Sequence, residues 1–126
     1  MGTVVLDASC VIAFLEAENV QHDRAVHELR PWLGAEHIRL VAASGYAEIL
    51  VGPLRKGVGA SVEGFLDAAH ISIVPIDEEV ARRAASLRAE HPFLRLPDAF
   101  PFALAQLRNA PLLTLDTRLA RLAESD

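Results

Sequence analysis

The sequence predicts an α/β fold in which a parallel sheet of four to five strands is flanked by helices. Two observations lead to this prediction: short aliphatic runs recur along the chain, and longer stretches with helical spacing separate them. The runs are apolar on both faces, as strands are in a sheet that helices cover on both sides. Hydrophobic residues make up 52% of the chain and charged residues 23%, so the chain can bury a core. At 126 residues, we expect one domain that spans 1–126.

The elements follow one another in a regular order. The aliphatic runs predict strands at residues 4–6, 38–42, 71–74 and 112–115. Helical spacing predicts helices at residues 9–16, 23–33, 44–51, 59–69, 77–90, 98–108 and 117–123. The clearest of these is the helix at 77–90, because Asp77 suits an N-cap and two glutamates follow it. Pro53 and Gly57 predict a break after the third helix.

Charge and cysteine content exclude several classes of protein. The net charge is −5, from 12 basic and 17 acidic residues, whereas proteins that coat nucleic acid are usually basic. The single cysteine, Cys10, excludes an internal disulfide and a multi-cysteine metal cluster. No apolar run approaches the ~20 residues of a membrane helix, and no export signal is apparent. We therefore expect a cytoplasmic protein with no membrane association.

Four acidic residues occupy the predicted carboxyl edge of the sheet. Asp7 directly follows the first strand and Asp116 the last, Glu48 lies one turn into the helix after the second strand, and Asp98 opens the helix at 98–108. Ligands of open α/β sheets bind at this edge, where side chains from several loops converge. Each residue alone has an ordinary explanation as a turn residue, an N-cap or a solvated side chain.

Together, the four residues indicate a cation site. Like charges this close repel, and each carboxylate resists ionisation unless a cation compensates it. A set of oxygen ligands without cysteine or convergent histidine suits Mg²⁺ or Mn²⁺ and does not suit Zn²⁺. Arg95 and Arg118, near the same edge, are candidates for binding phosphate groups.

The segments around these acids also resemble a known family. The relevant segments are Val5-Leu6-Asp7-Ala8-Ser9, Ala47-Glu48, Leu96-Pro97-Asp98-Ala99-Phe100 and Leu113-Thr114-Leu115-Asp116-Thr117-Arg118-Leu119. In this order and spacing they resemble the successive motifs of the PIN domain, over residues 4–122. The Leu-Pro-Asp-Ala string is similar to that of the VapC-type toxins of bacterial and archaeal toxin–antitoxin pairs.

The resemblance implies a Rossmann-like PIN domain with Mg²⁺-dependent ribonuclease activity, in which Mn²⁺ can replace Mg²⁺. Carried over residue by residue, Asp7, Glu48, Asp98 and Asp116 become the catalytic, metal-binding set. Ser9 becomes a supporting hydroxyl that holds a carboxylate or a water molecule, and it equally suits the N-cap of its helix. The implied partners are an RNA substrate, a cognate antitoxin and a second copy of the chain in a homodimer.

A surplus of large apolar side chains suggests where an antitoxin would bind. They lie on three predicted helical stretches, and we expect some to line an exposed groove for an amphipathic segment. These side chains are Phe14, Leu15, Trp32, Leu33, Tyr46, Leu50 and Leu54. Burial of all seven in the core is the alternative.

Other classes of function fit less well. A phospho-acceptor receiver domain also places acids at strand ends, but it needs an acceptor aspartate after its third strand and a late lysine. Here that strand leads into Val74-Pro75-Ile76, and no lysine follows Lys56. A nucleotide-binding protein would show a glycine-rich loop after Leu6. A PIN-like binding module without catalytic activity remains the alternative to the ribonuclease.

Overall fold

Four short parallel strands form the centre of the chain in this computed structural model, which describes residues 2–125. The strands are β1 (Gly2–Leu6), β2 (His37–Ala42), β3 (Ile71–Val74) and β4 (Leu112–Leu113). They lie in the order β3-β2-β1-β4, and every neighbouring pair is parallel. The predicted parallel sheet of four to five strands is therefore confirmed with four. Because β1 is one of the two inner strands, the residue that follows it lies near the middle of the carboxyl edge.

Seven α-helices surround this sheet in the described part of the chain. They are α1 (Ala8–Leu15), α2 (His22–Leu29), α3 (Ala43–Arg55), α4 (Gly59–Ala68), α5 (Glu78–Glu90), α6 (Leu96–Leu107) and α7 (Thr117–Ser125). No helix within residues 2–125 has the length and apolar character needed to cross a membrane.

Alternating side chains of the strands feed two separate cores. Val4, Leu6 and Val41 point to one face, where they pack in a cluster with residues of α1, α2 and α4. Val5 and Leu40 point to the other face, into a cluster with residues of α5, α6 and α7. Both faces of the sheet are thus covered, which explains why its strands are apolar on both sides.

Two prolines move helix boundaries from their predicted positions. The helix predicted at 23–33 ends at Leu29 and continues as a short 3₁₀ turn, Arg30–Trp32, because Pro31 lacks the N–H that would extend the α-helix. The break predicted at Pro53 is wrong, since α3 runs through that residue to Arg55. The chain turns at Gly57 instead, whose φ of 74° suits a residue without a β-carbon.

The start of α6 is also earlier than predicted. The helix begins at Leu96 with Arg95 at the N-cap position, so Asp98 lies inside the first turn and does not cap the helix. Pro97 is favourable in the first turn, where its missing N–H would have no partner within the helix. Pro101 consequently lies deeper in the helix than the sequence suggests, at a position where it is buried.

The buried guanidinium of Arg39 joins three segments at the opposite end of the sheet. Arg39 lies in β2 and is only 4% exposed. Its Nε donates to the carbonyl of Ala69 at 3.0 Å, and its Nη1 lies 2.6 Å from the carbonyl of Trp32 and 2.9 Å from that of Gly34. These bonds satisfy carbonyls of loops that the strand ladders do not reach.

We expect Arg39→Met to lower the free energy of unfolding by about 2–4 kcal/mol, because it leaves several carbonyls without their charged donor. Urea denaturation measures the change. Arg82→Met is the matched control, since Arg82 is exposed on α5. Equal unfolding free energies of the two variants would contradict a structural role for Arg39.

Candidate functional site

The carboxylate of Asp7 is fixed where β1 ends. Asp7 is only 8% exposed, and its Oδ2 accepts hydrogen bonds from Thr114 Oγ1 at 2.7 Å and from Ser9 Oγ at 2.8 Å. Thr114 follows β4, which pairs with β1 through Leu6 and Leu113. The parallel pairing of the two strands therefore delivers the hydroxyl of Thr114 to the carboxylate.

The two hydroxyls are in turn oriented by backbone donors. The N–H of Leu115 donates to Ser9 Oγ at 3.2 Å, and the N–H of Asp116 donates to Thr114 Oγ1 at 3.2 Å. Each hydroxyl has one proton, and its short contact with Asp7 accounts for that proton. The backbone N–H groups after β4 thus donate to the two hydroxyls, and the two hydroxyls donate to Asp7.

Ser9 and Thr114 illustrate what the sequence did and did not reveal. The predicted supporting role of Ser9 toward a carboxylate agrees with its bond to Asp7, whereas its predicted N-cap position is wrong because α1 begins at Ala8 after Asp7. Thr114 was not predicted as a site residue. The available signal was a lone hydroxyl in an aliphatic run two residues before Asp116.

Asp116 caps the last helix. Its Oδ1 accepts from the N–H groups of Arg118 at 3.0 Å and Leu119 at 3.2 Å, at the start of α7. The ordinary explanation as an N-cap is therefore correct for this residue. It does not exclude a second role, because the residue is exposed and its carboxylate has another oxygen.

Asp98 and Glu48 lie on the first two turns of their helices. Asp98 is in the first turn of α6, and Glu48 is the sixth residue of α3. One carboxylate oxygen of Asp98, Oδ2, accepts a hydrogen bond from Arg95 Nε at 3.2 Å, which forms an ion pair three residues apart on the helix. Arg95 is thus the nearest counter-charge at this end of the site.

The carboxylates influence one another electrostatically. Burial raises the pKa of Glu48, the charges of Asp7 and Asp98 raise it further, and Arg95 opposes them. Burial also raises the pKa of Asp98; the hydrogen bond and charge of Arg95 oppose this, and Asp7 and Asp116 add to it. The fold therefore brings all four predicted acids into one field of mutual repulsion at the carboxyl edge.

The donor set fits a hard divalent cation by its chemistry, since it consists of carboxylate oxygens whose repulsion a cation would relieve. Within residues 2–125, however, no three histidine, cysteine, aspartate or glutamate side chains stand close enough to hold an ion as they are oriented. The bond of Asp98 to Arg95 gives a physical reason, because that carboxylate already serves another partner.

Beside the acids, a cleft of about 710 Å³ opens between α6 and α7. Asp98 and Asp116 contribute to its wall, and so do Arg95 and Arg118, the two arginines predicted to be near phosphate. A pocket with convergent charged groups and residues of raised pKa is typical of a binding site.

A smaller apolar groove lies away from the acids. Its walls come from α1, α3 and α4 and from the segment between the last two, through Ile12, Leu15, Glu16, Ile49, Pro53, Lys56, Val58 and Val62. Of the seven apolar residues predicted for a partner groove, Leu50 is buried, whereas Leu33 is 37% and Leu54 61% exposed. Phe14, Leu15, Trp32 and Tyr46 are half-buried against the core, so packing explains most of that surplus.

The chain is similar to several solved structures. A toxin–antitoxin complex from Klebsiella pneumoniae contains a chain that is 25% identical, over 91% of this chain and 88% of that one, with a TM-score of 0.75. VapC20 of Mycobacterium tuberculosis, a toxin that cleaves the sarcin–ricin loop, is 13% identical over 94% of both chains, with a TM-score of 0.77.

A third similar structure is VapBC2 from Rickettsia felis bound to a DNA fragment from its promoter. It is 14% identical, over 94% of this chain and 92% of that one, with a TM-score of 0.69. No curated protein matches the sequence. The model of the PIN domain matches residues 4–125, which is nearly all of the sequence. The chain therefore belongs to the PIN domain family.

Proposed function

We propose that this protein is a divalent-metal-dependent endoribonuclease, with Mg²⁺ as its ion and Mn²⁺ as a substitute, that acts in the cytoplasm as the toxin of a toxin–antitoxin pair. The observation that supports it most directly is the set of four acids that act on one another at the carboxyl edge of a PIN domain. We take residues 1–126 as one such domain. The similarity to the Klebsiella pneumoniae toxin–antitoxin complex supports the toxin assignment.

In this proposal, Asp7, Asp98 and Asp116 hold the ion, and Glu48 binds it through water or orients the attacking water. When bound, the ion neutralises phosphate charge and makes a water molecule more acidic. Ser9 and Thr114 keep the carboxylate of Asp7 in one orientation through its Oδ2. Arg95 pairs with Asp98, so Asp98 would hold the ion only with this ion pair open.

The alternative is a PIN-like module that holds a protein or RNA without cleaving it. The presence of all four acids favours the ribonuclease, because a module relieved of catalysis would gain stability by losing some of these charges. A homodimer remains a prediction from the family resemblance.

The apolar groove between α1, α3 and α4 is the surface that we assign to the antitoxin. Val58 is exposed in its wall, and Leu54 is exposed next to that wall, where its side chain lies against Gly59. Glu16 and Lys56 in the wall provide one charge of each sign. An amphipathic helix fits such a surface, since its apolar face covers the groove and its polar face meets the charged rim.

The proposed function predicts that the protein cleaves RNA only with a divalent metal ion. We expect RNA cleavage with Mg²⁺ or Mn²⁺ that EDTA abolishes, and a rate lower by at least roughly a hundredfold in Asp7→Asn or Asp98→Asn, because an ion ligand is lost. Cleavage of a labelled RNA measures both effects. Asp67→Asn is the control, since Asp67 is exposed on α4. Cleavage that persists in excess EDTA would contradict the metal mechanism.

The raised pKa of Glu48 predicts a dependence of stability on pH. A carboxyl group whose pKa is higher in the folded state costs no stability below its ordinary pKa, and the cost grows as pH rises through the folded value. In EDTA, Glu48→Gln should therefore raise the melting temperature at neutral pH by on the order of a few degrees, and the gain should vanish toward about pH 4.

Mg²⁺ should reduce the difference in melting temperature between Glu48→Gln and the wild-type protein at neutral pH, because it stabilises the folded wild-type protein that binds it. Glu63→Gln, which changes an exposed residue of α4, is the control for removing one negative charge. Melting temperatures that respond neither to Mg²⁺ nor to the Glu48 substitution would be evidence against a cation site.

The antitoxin surface predicts a further result. We expect Leu54→Glu to weaken the complex with the co-expressed product of the adjacent open reading frame by at least about tenfold, because it places a charge in the apolar contact. Binding is measured by titration of the purified partners. Val20→Glu is the matched control, since Val20 is fully exposed elsewhere. If both variants bind equally well, the partner surface lies elsewhere.

A further inference from the structure

The cleft beside Asp98 and Asp116 has a feature that the acids do not explain. Phe93 lies in its wall, in the loop between α5 and α6, and is 78% exposed. The next residue, Leu94, is buried in the core of α5 and α6, and its N–H donates to the carbonyl of His91 at 2.9 Å. The loop is thus anchored by Leu94, and the anchor leaves the ring of Phe93 in contact with solvent.

One arginine lies over this exposed ring, and two more line the same cleft. The guanidinium carbon of Arg118 lies 5.3 Å from the centroid of the Phe93 ring, within the range of a cation–π contact. Arg95 and Arg121 also line the cleft. Three arginines against Asp98 and Asp116 leave this wall with one formal positive charge in excess, whereas the protein as a whole has a net charge of −5.

This combination matches the chemistry of single-stranded nucleic acid. Exposed aromatic rings and guanidinium planes stack on unpaired bases, and arginine binds the phosphates between them. A volume of about 710 Å³ is that of a small-ligand pocket and is large enough for a splayed nucleotide. Because Asp98 and Asp116 belong both to the acid cluster and to the wall of the cleft, a nucleotide bound there lies next to the acids.

We propose that the cleft binds the single-stranded RNA segment next to the scissile phosphate, with one base stacked on Phe93 and with Arg118 and Arg121 at the neighbouring phosphates. This inference rests on the proposed ribonuclease function and assigns a substrate subsite to it. The apolar groove assigned to the antitoxin shares no lining residue with the cleft, so the antitoxin and the RNA are assigned to separate surfaces.

The experiment measures binding of a fluorescein-labelled single-stranded RNA of about 12 nucleotides by anisotropy in Mg²⁺. All proteins carry Asp7→Asn, which slows cleavage and changes no residue of the cleft. Phe93→Ala should raise the Kd by about 5- to 100-fold, and Phe93→Tyr should stay within about twofold because it keeps the ring. Val20→Ala, which changes a fully exposed apolar residue outside the cleft, should leave the Kd unchanged.

Salt dependence and kinetics distinguish a phosphate contact from a general loss of stability. Arg121→Ala should reduce the slope of log K against log salt by about one, whereas Phe93→Ala should leave that slope unchanged. With the four acids intact, Phe93→Ala should raise KM for cleavage and largely keep kcat, because the stack acts on binding. Duplex RNA of the same length should bind weakly to every variant.

The outcomes separate this inference from the proposed function. If the wild-type protein cleaves RNA and Phe93→Ala has the same Kd and KM, the subsite is wrong and the ribonuclease stands. If the wild-type protein neither binds nor cleaves RNA, both are wrong. A Phe93→Ala variant that loses affinity for the antitoxin, and none for RNA, would assign the cleft to the protein partner and overturn the proposal.

Discussion

The site depends on keeping one carboxylate, that of Asp7, in the protein interior at the end of an inner strand. Burying a charged group without hydrogen-bond donors is costly, and Asp7 is 8% exposed. Two hydroxyls, of Ser9 and Thr114, donate to the same oxygen, Oδ2. One hydroxyl comes from the helix that follows β1 and the other from the segment that follows β4. The two hydrogen bonds to Asp7 therefore require β1 and β4 to be adjacent and parallel. They also fix the register in which these two strands end.

The other three acids lie around Asp7 and are more exposed to solvent than it is. Asp98 is half-buried and paired with Arg95, whereas Glu48 and Asp116 are exposed. Arg95 lowers the pKa of both Glu48 and Asp98, although burial and the neighbouring carboxylates still raise both values above their ordinary range. A single arginine thus compensates the cluster only in part. A divalent cation held by the four acids would supply the remaining positive charge.

The sequence predicts those parts of the structure that local chemistry determines. The strand at 71–74 matches β3, and Asp77 caps α5 by accepting from the N–H of Val80 at 2.9 Å, as its position predicts. Local chemistry does not decide whether α3 continues through Pro53, because tertiary packing outweighs the lost hydrogen bond. The start of α6 was missed for a related reason, since Asp98 resembles an N-cap while Pro97 suits the first turn equally well.

Long-range contacts were harder to foresee. The bond from Thr114 to Asp7 joins residues 107 positions apart, and only the order of the strands brings them together. The burial of Arg39 was not predicted either, because its partners are backbone carbonyls of two other segments, and a backbone carbonyl carries no signal in the side-chain sequence. The acids were predictable as a group for the opposite reason. Each follows a strand or lies in the first two turns of a helix, and a parallel sheet collects all such ends at one edge.

The residues that we propose for catalysis and those that we propose for RNA recognition lie on different kinds of structural element. The acid cluster is built from strand ends and helix starts, so its geometry follows from the sheet and changes only with it. Phe93 lies instead in a loop whose position is set by one buried neighbour, Leu94. Substitutions at Phe93 can alter the exposed surface while Leu94 still holds the loop against the core. In the proposed ribonuclease, substitutions at Phe93 would therefore change the RNA segment that is bound without disturbing Asp7 and its two hydroxyl donors, because no bond of that network passes through the loop.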